Sequence, residues 1–175
     1  MKIFIAAITS LLPLAIATGI QVSTVDGRPQ CIVKAVGGNQ SDVGNILDAF
    51  ERCGKSGYII FPEGQSYWIN RKLSPRVKDL NIQWRGEWTF PDNISYWRSD
   101  SYFIEFQTHR AGLILTGDGI HIDGYGTRGI HWNGDTWYSA EAGETVEGRP
   151  MPFMLWNVSD VSAKNFHQRQ PQFWA

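Results

Sequence analysis

The 175-residue sequence carries a formal net charge of -1, with 16 basic and 17 acidic residues scattered along it. That balance excludes a nucleic-acid binder and a protein held to an anionic membrane by charge. The length suits one domain with a sizeable core, and eight Trp within a 13% aromatic content offer both core filler and stacking faces for sugar rings.

Lys2, the apolar run from Ile3 to Ala17 and the small-x-small pattern Ala15-Ile16-Ala17 predict a secretory signal peptide over residues 1–17. The run is about 15 residues, interrupted by Thr9, Ser10 and Pro13, against the roughly 20 a membrane span requires. Residues 18–175 are therefore expected as a secreted, extracellular chain with no membrane segment. In that oxidising compartment Cys31 and Cys53 are expected to pair as a disulfide, whose loop closure contributes about 3 kcal/mol. No Cys or His spacing suits zinc. Three Asn-x-Ser sequons, at Asn39, Asn93 and Asn157, are candidate glycosylation sites. Asn93 follows Pro91-Asp92 in a turn, Ser41 after Asn39 is expected to cap a helix, and Asn157 is expected to be partly shielded between apolar segments.

Val43, Ile46, Leu47 and Phe50 fall at i, i+3, i+4 and i+7 and predict one amphipathic helix, with Ser41-Asp42 as its N-cap and Gly54 as its stop. Stapled by the disulfide in front of a strand array, it is expected to plug the open first coil. After Gly57 the apolar period becomes two. Ile59 and Phe61 precede the turn Pro62-Glu63-Gly64; Tyr67 to Ile69, then Leu80, Ile82 and Trp84, then Trp88 and Phe90 follow. Phe103 and Phe106 flank Glu105, Leu113 and Leu115 lead into Gly117-Asp118-Gly119, and Ile120 and Ile122 make the next unit. Ile130 and Trp132 end at Asn133-Gly134, and Met154, Trp156, Val158 and Val161 close the series.

Strand starts recur roughly every 20–30 residues without long helices between them, which excludes doubly wound α/β folds. Two all-β arrangements remain, a sandwich of hairpins or a right-handed parallel β-helix. The recurring Gly-Asp-Gly and Asp-Gly-Tyr-Gly corners favour the β-helix, and Asn133-Gly134 lacks a matching strand on its far side. The pattern is still running at Gln172-Phe173-Trp174-Ala175, so the sequence is expected to be the N-terminal coils of a longer solenoid, truncated at its C-terminus.

Cys31 to Asn39, Ser41-Asp42, the apolar helix and Cys53 resemble the opening of the polygalacturonase-like family 28 glycoside hydrolases, secreted enzymes that cleave pectin. Phe61-Pro62-Glu63-Gly64 resembles that family's first strand and turn. Residues 117–126 (Gly117-Asp118-Gly119-Ile120-His121-Ile122-Asp123-Gly124-Tyr125-Gly126) with Asn133-Gly134-Asp135-Thr136-Trp137-Tyr138 resemble its Gly-Thr-Ile-Asp-Gly block and trailing Trp. Arg149-Pro150 and Gln170-Pro171-Gln172-Phe173-Trp174 resemble the segments that follow. The match covers nearly all of residues 18–175, and Asp92-Asn93-Ile94-Ser95-Tyr96-Trp97 leans to the exo-acting branch. The resemblance implies a right-handed parallel β-helix and inverting hydrolysis of α-1,4-galacturonosyl linkages by paired carboxylic acids. It also implies a pectic polysaccharide (polygalacturonate or rhamnogalacturonan) as partner, no cofactor, and a monomer at full length.

The family signatures Asn-Thr-Asp, Asp-Asp and Gly-His-Gly do not occur in the sequence, and Arg76-Val77-Lys78 matches Arg-x-Lys far upstream of its place, in what reads as a solvated loop. No catalytic residue is therefore assigned, and these residues alone are expected to cleave nothing. The alternative is a non-catalytic carbohydrate-binding or structural β-helix protein. Trp137, Tyr138 and Trp174 are the candidate sugar contacts. Asp118, His121 and Asp123 could hold a divalent ion but read as a turn and an outward strand face, so no metal is assigned. His131 and Asp135 flank the Asn133-Gly134 turn, and Glu141, Glu144 and Glu147 read as a mobile surface loop.

Overall fold

The computed structural model describes residues 19–105, 109–141 and 148–173. The signal segment, Phe106, Glu144, Glu147 and Trp174 lie outside them. The described chain opens with an antiparallel hairpin of β1 (Ile20–Val25) and β2 (Arg28–Val33). Asp26 and Gly27 turn it with φ of 50° and 75°, the left-handed pair that a two-residue hairpin demands and Asp-Gly supplies. This hairpin is absent from the sequence expectations, although its dipeptide is a direct signal.

Helix α1 (Val43–Cys53) buries Val43, Ile46, Ala49, Phe50 and Cys53, and the Gly54 N–H closes it on the Phe50 carbonyl. Leu47, expected on the apolar stripe, is exposed. The expected cap is corrected too. Asp42 makes no side-chain cap bond; its buried carboxylate accepts 2.7 Å bonds from the Val36 and Trp68 N–H groups. Ser41 Oγ donates instead to Asn70 Oδ1. A Cys31–Cys53 disulfide, with both residues buried, ties β2 to the end of α1.

From there the chain alternates between two sheets. Strands β3 (Lys55–Phe61), β5 (Arg76–Trp84), β8 (His109–Asp123) and β10 (Pro150–Lys164) extend the first sheet in the order β1-β2-β3-β5-β8-β10. Strands β4 (Ser66–Trp68), β6 (Glu87–Thr89), β9 (Ile130–His131) and β11 (Gln168–Arg169) form the second, all parallel. Each circuit thus lays one strand on each sheet, and the register stacks like on like. Gly57 pairs Leu80, Leu80 pairs Ile120 and Ile120 pairs Val161; Ile59, Ile82 and Ile122 form the next row. These rows and the aromatic group Phe61, Trp84 and Trp88 fill the interior, the burial that drives such stacking.

The structure departs from the sequence expectations in several further places. Gly117-Asp118-Gly119 is no turn: β8 runs through it, with Gly117 and Asp118 each paired to both β5 and β10. Gly117 has φ 127°, and a Cβ there would lie 1.8 Å from the Val77 carbonyl oxygen, so glycine bends the strand without ending it. Strand β10 is likewise continuous, with a register shift between Leu155 and Val158. Two helices appear after sheet-two strands, α2 (Ile94–Asp100) and α3 (Gly134–Ala140), each too short for a helical period to register. Strand β7 (Tyr102–Ile104) pairs antiparallel with the start of β8. Arg76-Val77-Lys78 opens strand β5, with Val77 buried, and is not a loop. Among the described residues no helix is long and apolar enough to cross a membrane.

Candidate functional site

Where the chain leaves the second sheet, successive circuits turn through α2 and α3, and the two helices share one corner. Phe90 and Trp132 stack there with centroids 3.8 Å apart, and Trp97 packs beside Phe90. Asn133 sits in the left-handed conformation at the start of α3 and donates through Nδ2 to the Phe90 carbonyl at 2.7 Å. Asn-Gly therefore starts a helix here and does not close a hairpin. Thr136 Oγ1 donates to Asp92 Oδ2, linking α3 to the turn before α2.

One turn of α3 splits the expected sugar contacts. Trp137 points inward and is fully buried; Tyr138, next in sequence, is 43% exposed. A ring with no exposed surface cannot stack on a sugar, so the Trp137 expectation is corrected to a core role. The Tyr138 ring lies under the Arg149 guanidinium, 4.6 Å from its centroid. Arg149 is buried and pairs with Glu141, which also accepts from Arg98. Glu141, expected on a mobile surface loop, is instead the buried centre of a two-arginine ion cluster. That cluster was not legible in sequence, because Arg98 and Glu141 come from different circuits. Its Arg98 side chain is 37% exposed, and its guanidinium also lies 5.4 Å from the centroid of the Trp137 ring. Nearby, His131 shares a 2.8 Å bond with Gln170, which donates to Asp135.

This corner presents the exposed Tyr138 ring beside the part-exposed Arg98 guanidinium. It does not show two carboxylic acids facing each other across a gap, the arrangement that glycoside hydrolysis needs. Glu141 has both oxygens committed to guanidiniums.

The suggested metal triad does not assemble. Asp118 accepts from Ser159 Oγ, His121 Nδ1 meets Ser162 Oγ at 2.9 Å, and Asp123 pairs with Lys164 at 3.2 Å. The Tyr125 N–H, ahead of the Lys164 and Asn165 contacts, holds the Asp123 carboxyl below its usual range. Among the described residues no group of three metal-ligating side chains converges. The sequons are all exposed: Asn39 at φ 57°, Asn93 as the N-cap of α2 accepting from the Tyr96 N–H, and Asn157 at the β10 irregularity. The expected shielding of Asn157 is thereby corrected.

No family model matches the chain. Among curated proteins, it is 57% identical over 145 residues to one from Aspergillus niger described as "Putative galacturan 1,4-alpha-galacturonidase C", covering 83% of this chain and 34% of that protein. A protein of the same description from Neosartorya fischeri is 49% identical, with 83% and 32% covered. An exopolygalacturonase of Cochliobolus carbonum is 31% identical over 159 residues, with 88% and 35% covered. The crystal structure of an endo-xylogalacturonan hydrolase from Aspergillus tubingensis superimposes with a TM-score of 0.66 at 26% identity, over 79% of this chain and 36% of that one. The chain spans about a third of the length of the relatives it matches.

Proposed function

We infer, from the chain's membership of the polygalacturonase-like family 28 glycoside hydrolases, that it serves the hydrolysis of α-1,4-galacturonosyl linkages in pectin. The observation that carries this reading is the 57% identity to the Aspergillus niger protein, kept over 145 residues. In this reading the fold is a right-handed parallel β-helix with α1 as its end cap. The polysaccharide partner is pectic, the action is from chain ends with inversion, and the polypeptide works as a monomer. Secretion follows from the apolar leader over residues 1–17, and it fits the disulfide and the exposed sequons.

The described residues supply the coil scaffold and contacts such as Tyr138 and Arg98. The paired acids that the reaction requires would come from the remaining two thirds of the relatives' length. A chimera tests this. Residues 19–173 replace the matching third of the Aspergillus niger relative, and galacturonate release from oligogalacturonate is followed beside the unaltered parent. Release by the chimera is expected; a folded chimera without release, next to an active parent, would overturn the reading.

A second reading, a non-catalytic carbohydrate-binding β-helix, is favoured by one observation: the 175 residues contain no Asn-Thr-Asp, Asp-Asp or Gly-His-Gly, and their one Arg-x-Lys lies far upstream of that signature's place. It predicts oligogalacturonate retention by the 175-residue chain with no reducing ends released, and no release by the folded chimera either.

A further inference from the structure

Strand β10 sets two residues against one where it follows the bend in β8. Leu155 pairs Leu115 and Val158 pairs Gly117, so Trp156 and Asn157 together face Thr116. An extra residue of this kind bends a strand and re-aims its side chains. Asn157 takes up the bend at φ 49°, a left-handed conformation that asparagine adopts more readily than most residues. The backbone alone therefore accounts for an asparagine at this position. It does not account for the surroundings.

Phe153 packs on the main core, whereas Met154 packs with Ile104, Ala111 and Ile114 on the outer side of the first sheet. Trp156, two residues past Met154, is 47% exposed, while Trp84, Trp88, Trp97, Trp132 and Trp137 are buried. Beside it Asn157 lines a cleft of about 250 Å³ with Arg76, Lys78, Asp118 and Ser159. Arg76 and Lys78 are exposed, and among the described residues neither has a carboxylate within ion-pair distance. Asp118 accepts from Ser159 Oγ. The cleft thus combines uncommitted donors, one acidic acceptor and, at its side, an exposed indole. It belongs to the first sheet, away from α3 and Tyr138.

We propose that Asn157 carries an N-linked glycan whose first N-acetylglucosamine seats in this cleft and whose following sugars cover Trp156. Asn157-Val158-Ser159 has the acceptor pattern. In the transfer, the Asn157 Nδ2 to sugar C1 bond forms and the C1–O bond of a lipid-pyrophosphate oligosaccharide donor breaks. The lipid pyrophosphate leaves, and Nδ2 gives up one proton. The acetamido carbonyl and hydroxyls of the first ring accept from Arg76 and Lys78, and Asp118 accepts from a hydroxyl. The apolar face of a later ring lies on the Trp156 indole. A bulky, hydrated chain there also keeps an exposed tryptophan from meeting other proteins. This inference rests on the secretion reading and is independent of the bond that the enzyme cleaves.

The test is to secrete the 175-residue chain from a filamentous-fungal host and map its glycopeptides by mass spectrometry. Acetylation of Lys78 and oxidation of Trp156 are then timed by peptide mapping. Asn157→Gly keeps the left-handed backbone without a glycan, and Ser159→Thr keeps the acceptor pattern. A glycan should be found on Asn157, and both reactions should run about fivefold slower than in N157G, as for a ring contact that is closed most of the time. Ser159→Thr should match the unaltered chain, and enzymatic release of the glycan from the folded protein should raise both rates to the N157G level. A secreted chain bare at Asn157, or rates at either residue that do not respond to loss of the glycan, would overturn the proposal and leave secretion standing. A chain that never reaches the medium and carries no glycan at Asn39, Asn93 or Asn157 would sink both together.

Discussion

Asp42→Asn probes how the first loop is held to the coil stack. The Asp42 carboxylate is buried, and each oxygen accepts a 2.7 Å bond, one from the Val36 N–H and one from the Trp68 N–H. An amide keeps one acceptor and turns its NH2 toward the other backbone donor. One buried N–H then loses its partner, a cost of about 1–3 kcal/mol, and the remaining bond is no longer charge-assisted. A loss of about 2–3 kcal/mol follows. At roughly 2–4 °C per kcal/mol for a chain of this size, the melting temperature should fall by about 4–12 °C. The pH dependence has a definite sign. Burial raises the Asp42 carboxyl above its usual value, against the pull of the Trp68 and Val36 N–H groups. A group whose folded pKa is raised contributes most below its unfolded pKa of about 3.9, and that contribution is lost as pH rises through the folded value. Asparagine does not titrate. The deficit of the variant should therefore be smallest at neutral pH and grow as acid is added through the raised pKa. Urea denaturation of both proteins across pH 4–7.5 measures it. A deficit below about 0.5 kcal/mol at pH 7, or one that shrinks in acid, would refute the reasoning.

Replacing Cys31 and Cys53 together by Ser releases a crosslink with a sequence separation of 22 and should cost about 3 kcal/mol by loop-closure entropy, read as a lower urea midpoint. Gly117→Ala would place a Cβ 1.8 Å from the Val77 carbonyl oxygen at φ 127°, so little folded protein is expected by circular dichroism. Gly126→Ala, at φ 71° with no neighbour within 4 Å, should cost only about 1–2 kcal/mol of backbone strain. Tyr138→Ala should weaken trigalacturonate retention while the melting temperature holds. Trp137→Ala, which empties a fully buried site, should do the reverse and cost about 3–5 kcal/mol.

The strands were legible because their inward residues alternate with polar ones: Leu80, Ile82 and Trp84 are buried where the period of two places them. Helix α1 was legible through its apolar spacing, and its disulfide through the two cysteines that bracket it. Short elements were not. Seven residues in α2 or α3 give less than two full turns of pattern, so their start signals, Asn93 and Asn133, read as turns. The Gly117-Asp118-Gly119 error has a different origin. Glycine signals backbone freedom, and sequence does not distinguish freedom spent on ending a strand from freedom spent on bending one under a neighbour's carbonyl.

The candidate sites failed to show in sequence for a reason that belongs to stacked coils. Residues meet when they lie one circuit apart, and the circuits differ in length. The step from Leu80 to Ile120 carries α2 and β7, whereas the step from Gly57 to Leu80 carries only β4. No fixed period therefore brings Glu87 to Arg128 and Arg169, or Arg98 to Glu141. Only the registered sheet does so, since each parallel strand holds its neighbour's turn at a set height. The ion pairs of this molecule are thus set across circuits, and the inward-facing rows that were readable along the chain supply the rigid spacing that keeps them in line.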